Sequence, residues 1–191
     1  MTNAKLIDIQ PLNTTEFDRH TDDELTLQSP ASILVTDCRD DKALKLSVDL
    51  AVDSALSIMR NAHIAECVVL DPQGKLAGMI SLTDLQSAKV LSTANRLGLH
   101  RSDLTLKDVM YPKAKLQSIN LFALSRANVN DLLNNMQRLG APYVIVINAH
   151  ENEICGYVSA REASKRLNHP VHINAYASGL KEVLETVDHP H

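Results

Sequence analysis

Residues 52–85 read VDSALSIMRNAHIAECVVLDPQGKLAGMISLTDL, and residues 129–163 read VNDLLNNMQRLGAPYVIVINAHENEICGYVSAREA. Met59 matches Met136, Val69 matches Ile147 or its neighbour, Gly78 matches Gly156 and Ser81 matches Ser159. The offset is about 77 residues and drifts by one across a polar stretch, so the chain contains one unit twice.

Each copy has the same physical reading. Val52, Ala55, Leu56 and Met59 recur at helical spacing, as do Val129, Leu132, Leu133, Met136 and Leu139, which predicts an amphipathic helix of about three turns. A short β-branched run follows, residues 67–70 in one copy and 144–147 in the other, suited to a buried strand. Turn residues come next, 71–74 and 148–152, then a second strand ending at Ser81 or Ser159 and another helix. A leading strand is expected at 33–35 for the first copy and 116–119 for the second. The fold class is therefore α/β (α+β): two repeats of strand, helix, strand, strand and helix whose thin sheets pack on each other and share a core.

Working outward, residues 1–29 form an acidic N-terminal arm, 30–98 the first repeat, 99–168 a connector and the second repeat, and 169–191 a closing helix (176–187) and tail. Residues 1–50 hold ten of the acids against five bases, and the full chain of 191 residues has a formal charge of −4. With no tryptophan and two phenylalanines, this balance argues against a nucleic-acid surface. Cys38, Cys67 and Cys155 have unrelated spacings, matching neither a disulfide framework nor a zinc knuckle, and read as core thiols in a reducing compartment. Apolar runs such as 143–147 are too short to span a bilayer, and the start carries no secretory signal pattern. Those features set the expectation of a cytoplasmic protein without membrane contact.

The residues able to hold a ligand lie where the second strand meets the helix: Gly78-Met-Ile-Ser81-Leu-Thr83-Asp84 and Gly156-Tyr-Val-Ser159-Ala-Arg161-Glu162. A hydroxyl and a carboxylate three residues apart at a helix start are also a capping pattern, so Ser81, Ser159, Asp84 and Glu162 have structural work to do in any case. Beside the helix start, a carboxylate is placed to accept a ribose diol, and free N–H groups suit a phosphate. Strand starts bordered by Ala65-Glu66 or Ala141-Pro142-Tyr143 suit a flat base, so that adjacent elements of one repeat would read base, ribose and phosphate together.

The paired pattern resembles the tandem cystathionine β-synthase (CBS) domain pair, or Bateman module, over residues 30–167. The resemblance rests on the helix ending in Met, the run AECVVLDPQGKLAG, the motif GMISLTDL and the connector LKDVMYP. It implies two βαββα repeats packed as a pseudo-twofold pair with two clefts, a homodimer, and an adenosine-containing ligand in the cleft between the repeats, AMP, ADP, ATP or S-adenosylmethionine, acting as a regulatory ligand rather than a cofactor. By the same resemblance Asp84 matches the ribose-binding acid, Ser81 and Thr83 the hydroxyls near ribose and phosphate, and Ala65 and Glu66 the strand that meets adenine. In the second repeat Ser159 matches, whereas Glu162 replaces Asp and Arg161 replaces Thr, offering a phosphate partner. Lys113 and Lys115 add charge near the second lead-in or stay solvated.

The two repeats, arm and tail use up the 191 residues, so the resemblance implies a free-standing regulatory module that signals to an unknown protein partner. An enzyme is not expected: GxGxxG, GxSxG, HExxH and a phosphate-loop lysine motif are missing. Cys67 and His63 are four residues apart across a helix–strand boundary, with no nucleophile–base geometry implied, and the scattered histidines offer no metal site. The competing expectation is a ligand-free dimerisation or docking module of the same fold.

Overall fold

The computed structural model describes residues 25–39, 43–151 and 153–168. Most of the expected arm, the closing helix at 176–187 and the tail lie outside the described residues. A one-turn 3-10 helix, Ala31–Leu34, leads into β1 (Thr36–Asp37). The first repeat follows as β2 (Lys45–Ser47), α1 (Val52–Asn61), β3 (Glu66–Leu70), β4 (Leu76–Ser81), α2 (Leu82–Gln86) and α3 (Ala88–Leu97). The connector holds α4 (Leu106–Val109) and β5 (Tyr111–Pro112). The second repeat is β6 (Gln117–Asn120), α5 (Leu121–Ser125), α6 (Val129–Leu139), β7 (Tyr143–Asn148), β8 (Glu153–Ser159) and α7 (Ala160–Leu167).

Two four-stranded sheets result, in the orders β2-β3-β4-β5 and β1-β8-β7-β6. Within each repeat the leading strand runs parallel to the next, and that strand pairs antiparallel with the third. Val69 pairs with Gly78 and Val146 with Gly156, so the counterpart of Val69 is Val146 and the register drift falls in the turn.

One expected strand is misplaced. Residues 33–35 do not lead the first sheet; Lys45–Ser47 does. Ala31 and Leu34, three residues apart, share the buried face of a 3-10 turn that begins after Pro30, and Ile33 is exposed. The strand signal lay instead in the alternation of exposed Lys45, buried Leu46 and exposed Ser47. The second expected leading strand, 116–119, appears as Gln117–Asn120.

The lead-ins change partners. β1 pairs with β8 of the second repeat, and β5 pairs with β4 of the first. Ala31 and Leu34 accordingly lie in the second repeat's core with Val129, Leu132 and Met136, while Leu104, Leu106 and Val109 lie in the first repeat's core with Val52 and Met59. Between the sheets a third cluster, including Val68, Met79, Tyr143, Ile145 and Tyr157, glues the repeats together. Burial of this apolar area is the main force holding the pair face to face.

The exchange explains both motif glycines. A Cβ on Gly78 would collide with the Tyr111 carbonyl oxygen and lie 2.9 Å from Met110 Sδ; one on Gly156 would collide with the Thr36 carbonyl oxygen and lie 3.0 Å from Val35 Cγ1. Glycine is needed there for close backbone approach, not for a left-handed conformation.

Candidate functional site

The strand starts and helix starts of both repeats meet at one end of the sheet pair. Glu66 opposes Ser81 in the first sheet and Tyr143 opposes Ser159 in the second. The Leu82 N–H donates to the Ala65 carbonyl (2.7 Å) and the Ala160 N–H to the Pro142 carbonyl (3.0 Å), tying each helix start to its own strand. Ser81 Oγ accepts from the Asp84 N–H (3.0 Å) and Ser159 Oγ from the Glu162 N–H (3.3 Å), so both serines cap as their sequence pattern allows.

Their hydroxyl protons go to different partners. Ser81 donates to Asp84 Oδ2 at 2.6 Å, within its own repeat. Ser159 donates to Glu66 Oε1 at 2.9 Å, across the pseudo-twofold axis. Tyr143, the counterpart of Glu66, lines the larger cavity together with Ser81. Arg161 Nη1 donates to Thr83 Oγ1, joining two positions that correspond in the repeats. The Tyr157 hydroxyl donates to the Glu66 carbonyl at 3.4 Å.

Glu66 is 8% exposed. Burial raises its carboxyl above the usual carboxylate range; the Ser159 hydrogen bond and Arg161 oppose that, while Glu162 and Asp84 add to it. Burial also raises the phenols of Tyr143 and Tyr157 and pushes the Cys67 thiol up to about 12, leaving it an inert core group. No buried side-chain nitrogen or oxygen among the described residues lacks a hydrogen-bond partner.

Two cavities flank this junction. The larger, about 580 Å³, is lined by Ser81, Asp84 and Lys89 of the first repeat and by Pro142, Tyr143 and Arg161 of the second, with Tyr111 and Glu66. The smaller, about 370 Å³, is lined by His63, Ala65 and Glu66 of the first repeat and by Tyr157, Glu162 and Lys165 of the second. Both volumes fall in the range of small-molecule sites. The expectation that one repeat reads a whole ligand is corrected here: each cavity joins the helix start of one repeat to the strand start of the other. Face-to-face packing of the sheets places Asp84 beside Tyr143, and Glu162 beside Ala65.

Most of the expected site residues line these cavities, and two do not. Ala141 is buried in the core of the second repeat, and Thr83 is turned to Arg161. Lys113 and Lys115 are exposed in a one-turn 3-10 helix and line neither cavity. Sequence reasoning missed Lys89 and Tyr111. Lys89 lies five residues beyond Asp84, after the extended Ser87 breaks the helix, and Tyr111 arrives through the exchanged lead-in. Tyr111 and Tyr143 meet edge to face, ring centroids 5.9 Å apart, and form an aromatic wall of the larger cavity. Among the described residues, no group of three or more His, Cys, Asp or Glu side chains is arranged to hold a metal, and no helix is long and apolar enough to cross a membrane.

Residues 35–90 match the family model of the CBS domain. The fold is that of several solved structures. A Pyrococcus horikoshii protein shares 16% identity at a TM-score of 0.52, with 78% of this chain and 98% of that one covered. CBSX2 in complex with AMP shares 16% identity at a TM-score of 0.50, with 72% and 94% covered. The CBS domain of a bacterial CNNM/CorC family Mg2+ transporter in complex with ATP shares 12% identity at 0.50, with 74% and 89% covered. No curated protein matches the chain.

Proposed function

We propose that this chain, a CBS-domain protein by its family match and its fold, is a non-catalytic regulatory module that binds an adenosine-containing ligand in the Asp84 cavity. The observation that carries the reading is the set of groups meeting there. The Asp84 carboxylate is the acceptor for a ribose diol, the Tyr111–Tyr143 wall suits a base, and Lys89 with Arg161 supplies positive charge for phosphate. AMP, ADP, ATP and S-adenosylmethionine share the adenosine half and differ beyond it. The AMP and ATP complexes of two proteins of this fold support the same ligand class.

Binding transmits a signal only if the ligand favours one arrangement of the module over another. The cavity suits this, because its walls come from both repeats and a ligand there fixes their relation. The reading includes a cytoplasmic homodimer acting on a protein partner. Exposed apolar side chains on and just past α3, Leu91 (55%), Leu97 (40%) and Leu99 (43%), offer material for such contacts.

A ligand-free docking module is the second reading, and one observation favours it: Asp84 already accepts from Ser81 at 2.6 Å and so has a structural task. Thermal denaturation with AMP, ADP, ATP and S-adenosylmethionine, on the wild type and on Asp84→Ala, separates the two. A ligand at a hundredfold excess over Kd contributes about 2.7 kcal/mol, or about 5–10 °C in Tm for a chain of this size. A dose-dependent rise that Asp84→Ala abolishes supports the sensor. No rise with any of the four moves the reading to the docking module.

A further inference from the structure

The two cavities differ in charge: each is lined by two carboxyl groups, Glu66 being common to both, but the larger sets Lys89 and Arg161 against them and the smaller Lys165 alone. Glu66 and Tyr143 occupy equivalent register positions, so the strand start of the first repeat brings a carboxyl where that of the second brings a phenol. The smaller cavity thus has two carboxyl groups, Glu66 and Glu162, facing the single ammonium of Lys165, with His63 at its edge. In the larger cavity Asp84 and Glu66 are matched by Lys89 and Arg161. Glu66 is also held in place: it is 8% exposed and its Oε1 accepts from Ser159 at 2.9 Å.

We propose that Glu66 sets ligand selectivity, excluding phosphorylated ligands from the smaller cavity so that a chain binds one nucleoside phosphate, in the Asp84 cavity, while the smaller cavity admits uncharged adenosine. The inference rests on the adenosine reading of the larger cavity. A phosphate brought into the smaller one meets like charge from Glu66 and Glu162 in a recess of about 370 Å³, and Glu66, 8% exposed, is the less screened of the two. An uncharged nucleoside meets no such repulsion, and the same carboxyl groups accept from its hydroxyls. Exclusion by repulsion is the common way a site rejects a close relative of its ligand.

Isothermal titration of the full chain with AMP, and separately with adenosine, tests this on the wild type and on Glu66→Gln. Glutamine keeps the acceptor that Ser159 requires, so the variant retains the local hydrogen bond. The expected stoichiometry is one AMP and two adenosines per wild-type chain, and two AMP per Glu66→Gln chain, with the second AMP bound at least about tenfold more tightly than in the wild type. Two AMP per wild-type chain, or one per Glu66→Gln chain, overturns the selectivity role and leaves the Asp84 cavity as a nucleotide site. Absence of AMP binding from both proteins overturns the nucleotide reading and the selectivity role with it.

Discussion

Glu66 and Tyr143 stand at the same position of the two repeats, opposite Ser81 and Ser159, and Glu66 reaches across the pseudo-twofold axis to Ser159, the serine that caps the second repeat's helix. The positions are equivalent and the chemistry is not. One holds a carboxyl that accepts a hydrogen bond from Ser159; the other holds a neutral phenol on the wall of the larger cavity.

Unequal mutational costs follow. Ser159→Ala removes the hydroxyl donor to a buried carboxyl and a helix cap, a loss of about 1–3 kcal/mol. Tyr143→Phe removes a hydroxyl and leaves the ring packed in the intersheet cluster, a loss of about 0.5 kcal/mol or less. Urea denaturation should rank Ser159→Ala as the more damaging; the reverse order would mean that the Glu66 contact is not formed.

Glu66 gives the fold a pH dependence of definite sign. Its folded carboxyl is held above the ordinary value by burial, with Glu162 and Asp84 adding and Ser159 and Arg161 opposing. The folded state therefore holds the proton to higher pH than the unfolded chain does. The Glu66 contribution is full below the unfolded value and is lost as pH rises through the folded one. Glu66→Gln removes this dependence. The Tm of the variant minus that of the wild type should grow as pH rises from about 4 through and above the ordinary carboxyl range. A difference that stays flat, or shrinks, contradicts a buried carboxyl at this place.

Gly78→Ala and Gly156→Ala should each destabilise by about 1–3 kcal/mol, because the added methyl meets a backbone carbonyl that cannot move without breaking β4–β5 or β1–β8 pairing. Gly74→Ala is the informative comparison: nothing lies within 4 Å of its Cβ, and its cost comes from φ of +74° alone, about 1–2 kcal/mol. Chemical denaturation combined with hydrogen exchange distinguishes them. Loss of protection at Met79 should follow Gly78→Ala and be missing in Gly74→Ala.

Val52 and Val129 are both 0% exposed and belong to separate cores. Truncating either to Ala costs about 2 kcal/mol. The double variant should lose the sum to within about 0.5 kcal/mol, as expected of residues without shared partners. A strongly non-additive result would show that the intersheet cluster transmits packing strain between the repeats.

Much of this architecture was legible in the chain itself. Met59 with Met136 and Gly78 with Gly156 established the repeat, and helical spacing placed α1 and α6 to within a residue or two. Periodicity is a local signal, and local elements followed it. The exchange of β1 and β5 was not legible, because two-residue strands carry no period and their partners lie a repeat away. For the same reason the residues of the candidate site were found but grouped by repeat, whereas sheet-to-sheet packing grouped them across the repeats. Lys89 and Tyr111 escaped notice because only that packing turns them toward Asp84.

A site shared between repeats leaves a distinctive trace in solution. In amide chemical-shift mapping with AMP, the signals of Asp84 in the first repeat and Tyr143 in the second should move together and saturate at one concentration, and the Tyr143 signal should stay still in Asp84→Ala. Shifts confined to one repeat, or none at millimolar AMP, would contradict an adenosine site built across the pair.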